Sequence, residues 1–229
     1  MSLYAWLNLL SVSIPFIASF HPRIGFYRHW PALFPAIILA MIPYVIWDVI
    51  FTRLGIWGFN DRYLSGATLL DLPVEEWMFF LCIPFSCIFI HYVVARLGNL
   101  QAGSALTRIV TIVLLFVFVV VGIWNFRLAY TAVDMGLAFA VLLLVFLLSP
   151  HLLANYYISF LIMLVPFAVV NGILTGSGIP DQVVWYNDTE NLGIRLITIP
   201  VEDVAYAFSL ILLNLFLFEK ISDEGLFWD

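Results

Sequence analysis

Seven long apolar runs divide this chain and restrict it to one class of fold. Each run has about the length of the roughly 20 helical residues that cross the hydrocarbon core of a bilayer. The runs lie near Leu3–Phe20, Ala32–Phe51, Val74–Val94, Ile109–Trp124, Thr131–Leu148, Tyr156–Thr175 and Val201–Phe218. Because the bilayer holds no water to satisfy backbone N–H and C=O groups, each run is predicted to be a transmembrane helix.

The composition points the same way. Hydrophobic residues make up 64% of the 229 residues and charged residues 10%, whereas soluble domains have about 45–50% and about 25%. We therefore predict a multi-pass integral membrane protein, in the cell (cytoplasmic) membrane, with no soluble domain. The net charge of −6 argues against nucleic acid as a partner. The only lysine, Lys220, lies beyond the last run, which argues against a retinal Schiff base in the bundle.

The chain also contains an internal repeat, which is the next feature to interpret. The stretches NDRYLSGATLLDLPVEE (Asn60–Glu76) and NDTENLGIRLITIPVED (Asn187–Asp203) align without a gap at an offset of 127 residues. The alignment superimposes an Asn-Asp pair, a glycine, a Pro-Val pair and two consecutive acids. Upstream, PYVIWD (Pro43–Asp48) matches PFAVVN (Pro166–Asn171).

These matches predict the order of the helices. Runs one to three correspond to runs five to seven, and run four connects them. The predicted units are a first repeat at 1–97, a linker helix at 98–128 and a second repeat at 129–229. Runs three and seven are four crossings apart and therefore point the same way, which makes the repeats parallel. The predicted fold class is all-α integral membrane, with seven transmembrane helices in a 3+1+3 arrangement and its orientation left open.

Four carboxyl groups are the main candidates for a catalytic role: Glu75, Glu76, Glu202 and Asp203. Parallel repeats bring them to one end of the bundle. Helix capping is the alternative, since acids near a helix N-terminus gain about 0.3–1 kcal/mol from the helix dipole. However, the second copy stays acidic although its neighbours differ, and ionisable groups near lipid are costly. Adjacent helical residues point about 100° apart, so one acid of each pair should face a cavity, and the sequence leaves open which one.

Weaker signals indicate substrate-binding residues. Asp48 and its counterpart Asn171 end the second and sixth runs and are predicted to face the same cavity, with solvated helix ends as the alternative. Asn60 and Asn187 are candidates for its floor, although Asn-Asp pairs also form turns. The histidines and the two cysteines form no cluster with metal-ligand spacing, so neither a metal nor a cofactor is predicted.

The motif Pro73–Glu76 and its second copy, Pro200–Asp203, resemble the membrane carotenoid cyclase domain. This domain occurs as heterodimeric or fused lycopene β-cyclases in bacteria and archaea, and joined to phytoene synthase in fungi. The resemblance covers nearly the whole chain, including GIWGFN (Gly55–Asn60) and FFLCIPFSCIFIHY (Phe79–Tyr92). The aromatic-Glu pair expected after the motif helix is present in the second copy as Phe218-Glu219, whereas the first copy has His91-Tyr92.

The resemblance implies an isomerase (intramolecular lyase) that cyclises the ψ-ends of lycopene to β-rings by acid catalysis, without a cofactor. Its expected partners are the linear carotenoid, membrane lipid and other enzymes of the carotenoid pathway. Crowded carboxyl groups at low dielectric separate into a proton donor and a carboxylate. We expect the four acids to divide these roles, with Glu75 and Glu202 as the leading candidates.

Two other functions fit the same pattern. Small transporters also use a 3+1+3 plan with parallel repeats, although they need a polar central cavity. A carotenoid-binding membrane subunit without activity is the other alternative. The sequence leaves open whether the ring is β or ε, and whether one or both ends are closed.

Overall fold

The computed structural model describes residues 1–98 and 102–222, and within them the chain forms seven α-helices. Each apolar run forms most of one helix. The helices are α1 (Leu3–Ala18), α2 (Trp30–Leu54), α3 (Val74–Gly98), α4 (Ser104–Trp124), α5 (Ala129–Leu148), α6 (His151–Leu174) and α7 (Glu202–Ile221). Helices α4 and α6 begin about five residues before their apolar runs, because polar residues such as Ser104 and His151 occupy their first turns.

Six of these helices, α2 to α7, are long and apolar enough to cross a membrane. The chain is therefore a multi-pass membrane protein. The remaining helix, α1, has 16 residues, fewer than the roughly 20 that cross the hydrocarbon core. The seventh crossing and the parallel repeats thus stay predictions. Residues 99–101 and 223–229, which belong to the predicted linker and second repeat, lie outside the described residues.

Helix α7 lies at the centre of the bundle. It packs against α2, α3 and α5, and it is the most buried of the six candidate spans, whereas α4 is the least buried. Helix α1 packs mainly on α3, and α4 packs mainly on α5. Because α3 and α7 are both covered by other helices, residues in their first turns are carried into the protein interior.

Side-chain hydrogen bonds join the helices at a few positions. Tyr44 Oη donates to Ser209 Oγ at 2.8 Å and joins α2 to α7. Tyr156 Oη donates to the C=O of Phe208 at 2.6 Å and joins α6 to α7. Such bonds contribute on average about 0.6 kcal/mol each inside a membrane. They therefore orient the helices, while close packing of apolar side chains holds the bundle together.

Three short antiparallel ladders lie in the loops at the end of the bundle where α3 and α7 begin. We call this the strand-bearing end. The pairs are β1 (Trp57–Phe59) with β4 (Val184–Tyr186), β2 (Thr68–Leu69) with β3 (Leu72–Pro73), and β5 (Arg195–Leu196) with β6 (Ile199–Pro200). The sequence pattern did not predict them, because strands of two or three residues are too short to show a period of two.

The hairpins β2–β3 and β5–β6 occupy equivalent places in the sequence repeat. The N–H of Val74 donates to the C=O of Ala67, and the N–H of Val201 donates to the C=O of Ile194, both at 3.0 Å. In each hairpin the motif proline is the last residue of the second strand. Two matching hairpins therefore set the points at which the acid-bearing helices α3 and α7 begin.

The ladder β1–β4 joins the two repeats directly. Its register pairs Trp57 with Tyr186 and Gly58 with Trp185. Since Gly58 and Trp185 are equivalent positions at the offset of 127 residues, the two strands are related by a local twofold axis. A Cβ atom at Gly58 would lie 2.4 Å from the Trp185 ring, so this crossing needs a residue without a side chain.

Candidate active site

The four acids of the repeated motif enter the bundle together at the strand-bearing end. Glu75 and Glu76 lie in the first turn of α3, and Glu202 and Asp203 lie in the first turn of α7. All four side chains are buried. Neighbouring residues on a helix point about 100° apart, and each pair is accordingly divided between two environments.

The second acid of each pair faces an internal cavity. Glu76 and Asp203 both line this cavity. Glu76 Oε2 accepts a hydrogen bond from Tyr4 Oη at 2.6 Å, and Asp203 Oδ1 accepts one from Tyr130 Oη at 2.5 Å. Tyr4 lies in the first turn of α1, and Tyr130 lies in the first turn of α5. In both halves of the chain, a tyrosine from the first turn of a neighbouring helix therefore binds the second acid of the pair.

The first acid of each pair binds the loop that precedes its helix and does not line the cavity. Glu75 Oε1 accepts from the N–H of Ser65 at 2.7 Å, and Glu202 Oε1 accepts from the N–H of Leu192 at 2.8 Å. Each also accepts a serine or threonine hydroxyl hydrogen bond at 2.6 Å. The sequence led us to favour Glu75 and Glu202 as proton donor and stabiliser. Their geometry instead suits them to holding the loops in place.

Asp48, near the end of α2, lines the same cavity as Glu76. Its Oδ1 accepts a hydrogen bond from the indole N–H of Trp57 at 2.7 Å. Its carboxyl group lies close enough to that of Glu76 for the two to interact. A protonated carboxyl group can donate a hydrogen bond, whereas an ionised carboxylate can only accept one. Asp48 and Glu76 therefore form a pair that can share one acidic proton.

Asn171 occupies the position of Asp48 in the second half and makes that half different. Its Nδ2 donates to Asp203 Oδ2 at 2.7 Å, and Tyr186 Oη donates to the same oxygen at 3.0 Å. With the bond from Tyr130, three donors converge on Asp203. Hydrogen bonds to the charged form stabilise a carboxylate. In the first half, by contrast, the donors are divided between two carboxyl groups.

Tyr186, on β4, remains a donor to Asp203 across the physiological pH range. Burial, and then the adjacent Asp203 carboxyl group, raise the pKa of its phenol well above the usual value, which is about 10. The ring is also held in place by stacking on Tyr130, with centroids 5.6 Å apart and planes 20° from parallel. Asp203 therefore keeps this hydrogen bond as long as the loop that contains β4 holds Tyr186 in this position.

The other residues suggested by the sequence lie outside the cavity lining. Asn60 accepts a hydrogen bond from the N–H of Arg62 at 3.1 Å, and Asn187 accepts one from the N–H of Thr189 at 3.1 Å. Both therefore form turns, which was the alternative reading of the Asn-Asp pairs, and the structure does not support a place for them in the floor of the site. Glu219, at the far end of α7 from Asp203, bonds His151 at 2.7 Å.

The cavity is long and largely apolar. Its volume is about 450 Å³, within the range of sites that bind small organic ligands. It follows α3 from Glu76 to Ile90, a distance of about 21 Å at 1.5 Å per residue. Its acidic and amide side chains all lie at the strand-bearing end, and Phe, Ile, Leu and Met side chains form most of the rest.

Aromatic rings surround the carboxyl groups at this end of the cavity. Trp57, Tyr130, Tyr186 and Tyr206 all line it. The Trp57 and Tyr130 ring centroids are 5.2 Å apart. Aromatic faces attract a cation by about 0.5–2 kcal/mol each. The polar end of the cavity can therefore combine proton transfer with stabilisation of a positive charge.

The sequence pattern missed the tyrosines that bind the acids. Tyr4 and Tyr130 are 126 residues apart, one residue short of the offset of the motif. The signal for them is the pair LYAWLN and AYTAVD (3–8 and 129–134), which shares only the tyrosine. Such a match is too weak to identify a functional position before the helices are placed.

Asp134, one turn after Tyr130 on α5, was also missed. It is fully buried, and neither of its carboxyl oxygens has a hydrogen-bond partner in the part of the chain that the structure describes. It lies close enough to Glu202 and Asp203 to interact with their charges but does not line the cavity. In the described ranges, 1–98 and 102–222, no three His, Cys, Asp or Glu side chains converge on a metal-sized site.

Comparisons with known proteins connect this chain to one family. The family model described as lycopene cyclase matches residues 1–94 and 127–221. A bifunctional lycopene cyclase/phytoene synthase of Phaeosphaeria nodorum (strain SN15) is 32% identical over 59 residues, which cover 26% of this chain and 10% of that protein. The match thus spans about a tenth of the length of this curated relative. No solved structure matches the chain.

Proposed function

Because the chain belongs to the lycopene cyclase family, we propose that it closes the acyclic ψ-ends of lycopene into β-rings, forming γ-carotene and then β-carotene. The observation that carries this proposal is the cavity with Asp48, Glu76 and Asp203 at one end of an otherwise apolar space. A linear hydrocarbon chain suits such a space, and its reacting end then lies against the carboxyl groups.

The proposed reaction needs a proton but no net redox change. A carboxyl group transfers a proton to the terminal double bond, which leaves a tertiary carbocation. The electron pair of a second double bond attacks this carbon and closes a six-membered ring. A ring C–H bond then releases a proton and forms the ring double bond. Substrate and product contain the same atoms, so the enzyme is an isomerase (intramolecular lyase).

The Asp48–Glu76 pair is the proposed proton donor. The two carboxyl groups are buried side by side in the cavity lining, and two adjacent carboxyl groups resist losing both protons because like charges repel. One proton therefore stays in the pair at neutral pH and faces the cavity. Trp57 and Tyr4 hold the two carboxyl groups at 2.7 and 2.6 Å, which positions that proton.

Asp203 is the proposed carboxylate that stabilises the cation and accepts the departing proton. Its three donors favour the charged form and hold it at the cavity wall. A fixed charge in a site without water stabilises a developing cation more strongly than water does. Transfer of this proton from Asp203 back to the Asp48–Glu76 pair completes the cycle, which consumes no proton overall.

The proposal includes the placement of the chain in the membrane. We infer seven crossings of the cell membrane in two parallel repeats, 1–97 and 129–229, joined by a linker helix at 98–128. The matching hairpins, the local twofold axis of β1–β4 and the two segments of the family match support this arrangement. Other enzymes of the carotenoid pathway are its candidate partners.

Expression of the chain in a host that accumulates lycopene tests the function. We expect lycopene to fall while γ-carotene and β-carotene appear, as measured by pigment chromatography. The matched control is the doubly substituted chain, Glu76→Gln with Asp203→Asn, at equal membrane abundance. Unchanged lycopene with the parent chain contradicts a cyclase. Co-purification of unconverted lycopene would then indicate a carotenoid-binding subunit, whereas an ε-ring product contradicts only the ring type.

The position of the carboxyl groups also predicts the order of products. Asp48, Glu76 and Asp203 lie at one end of one cavity, so one end of lycopene reacts at a time. The half-cyclised product must leave and return reversed. We expect γ-carotene to precede β-carotene in a time course with the purified protein. Excess unlabelled γ-carotene should dilute the label that passes from lycopene into β-carotene, and undiluted label would contradict a single site.

A further inference from the structure

The cavity has an opening on the side of the bundle, between α1 and α6. Leu10 and Ile14 on α1 line the cavity, yet 62% and 75% of their surfaces are exposed. On α6, Pro166 likewise lines the cavity and is exposed. A side chain that is both in the cavity lining and at the protein surface marks its edge. These three residues therefore frame the opening.

The opening exists because α1 is fastened to α3 instead of α6. Asn8 Nδ2 donates to the C=O of Glu75 at 2.8 Å. Pro15 has no N–H to bond the C=O of Ser11 four residues earlier. The hydroxyl of Ser86 on α3 lies 3.0 Å from that carbonyl and 2.7 Å from the C=O of Cys82, so its proton is shared between the two acceptors. Both contacts hold α1 against α3 and leave a gap on its other side.

Helices α1 and α6 meet near the strand-bearing end of the cavity. There Tyr4 and Leu7 of α1 pack in one apolar cluster with Leu174 of α6. Further along, Ile14 of α1 and Pro166 of α6 line the cavity and are both exposed, so they mark the two sides of the gap. The gap is therefore bounded at one end by a packed contact.

The position of the opening along the helices shows whether it faces lipid tails or water. Ile14 lies about 17 Å along α1 from its first residue, and Pro166 lies about 12 Å from the last residue of α6, at 1.5 Å per residue. The hydrocarbon core is about 30 Å thick. Both residues are therefore near the middle of the bilayer, where the opening faces lipid tails and not water.

At both ends of the cavity the lining residues are buried or half-buried. At the strand-bearing end, Phe59 and Val184 of the ladder β1–β4 lie across it. At the other end the lining stops at Ile90 and Phe160, and in the adjacent turns His91 Nδ1 and Ser159 Oγ are hydrogen-bonded at 2.6 Å between α3 and α6. An apolar ligand therefore has its direct route through the side.

We propose that the gap between α1 and α6 is a lateral portal through which one end of a long linear polyene enters from the lipid. The proposal rests on the proposed function for the identity of the ligand. The three residues that frame the opening carry no charge, and the opening lies at the depth of the hydrocarbon core. The carboxyl groups of the cavity lie only at its strand-bearing end. The occupant of the opening is therefore a thin apolar chain. The rest of the polyene stays in the bilayer while its end reacts.

Narrowing the portal tests this inference. Ile14→Trp adds bulk at the frame, and Ile17→Trp is the matched control, since Ile17 is on the same helix, 71% exposed, and outside the cavity lining. The protein is reconstituted in lipid nanodiscs and mixed with vesicles that contain lycopene. We expect Ile14→Trp to slow lycopene binding and to lower kcat/KM by about tenfold or more, with kcat at saturation little changed. Ile17→Trp should match the parent, and Ile14→Ala should bind at least as fast.

Each outcome bears on one proposal or the other. Equal binding rates for Ile14→Trp and Ile17→Trp overturn the portal, as does an equal loss in both. If the parent chain binds lycopene without converting it, the cyclase function is contradicted, while the binding rates still test the portal. If the parent neither binds nor converts lycopene, both are contradicted. Circular dichroism of each variant shows whether a loss comes from misfolding.

Discussion

Replacing Glu76 with glutamine is expected to lower the rate of lycopene cyclisation by about 10²- to 10⁴-fold, the range for loss of a positioned general acid. The amide preserves the size of the side chain, and its oxygen can still accept the hydrogen bond that Tyr4 donates at 2.6 Å. What it removes is one of the two carboxyl groups that we propose share the acidic proton. The loss should fall on kcat, measured per mole of folded protein in membranes, because the apolar walls that bind the chain are unchanged.

Glu75→Gln is the matched control, with the same change one residue earlier. Its amide oxygen can still accept from the N–H of Ser65, and the residue does not line the cavity. We expect kcat within a few-fold of the parent and some loss of stability, seen as a lower midpoint in thermal unfolding. Equal loss of kcat in both variants, with both folded, would falsify the assignment of the donor to the second acid.

The second large effect is expected for Asp203→Asn. An amide at this position carries no negative charge, so it cannot stabilise the carbocation or take up the proton that leaves the ring. Loss of one preorganised electrostatic contact of this kind lowers kcat by about 10²- to 10³-fold. The amide oxygen can take the place of Oδ2, which accepts from Asn171 and Tyr186, and the amide NH2 then faces Tyr130 Oη, which can accept from it in place of donating to Oδ1. The backbone should therefore be retained.

Asp134→Asn tests whether the rate depends on the carboxylate at the cavity wall or on the total charge in the second half of the chain. Asp134 is a buried acid that interacts with the charge of Asp203 but does not line the cavity. Removing its carboxyl group changes the number of acids in the second half without changing the cavity wall. We expect kcat within a few-fold of the parent. A loss as large as that of Asp203→Asn would show that the total charge of this half, and not the carboxylate at the wall, controls the rate.

The helices could be predicted from the sequence because the bilayer allows few alternatives. A buried backbone must satisfy its own hydrogen bonds, so a long apolar run becomes a helix. Within residues 1–98 and 102–222, six such helices are present, and α1 forms a shorter helix where a seventh was predicted. The ladder β1–β4 escaped prediction because it pairs residues more than a hundred positions apart, as in Trp57 with Tyr186. The hairpins β2–β3 and β5–β6 escaped it because their strands are too short to show a period of two.

The repeated Pro-Val-acid-acid motif also placed the candidate carboxyl groups on two helices that begin in the same way. The sequence could not say which acid of each pair faces the cavity, because the 100° step between neighbours holds for every helix. Asp48 and Asn171 both line the cavity, and their role in binding substrate stays a prediction. Asn60 and Asn187 were not separable from turn residues, since an Asn-Asp pair serves both purposes.

By itself, the sequence determined that this is a multi-pass helical membrane protein of the lycopene cyclase family with paired acids at two equivalent helix starts. Hydrophobicity and repetition are properties of the linear chain, so they can be read without a structure. Only the tertiary structure decided that Glu76 and Asp203 line the cavity while Glu75 and Glu202 hold the loops. That choice depends on the rotation of each helix, which the hairpins before it and the tyrosines of neighbouring helices determine together.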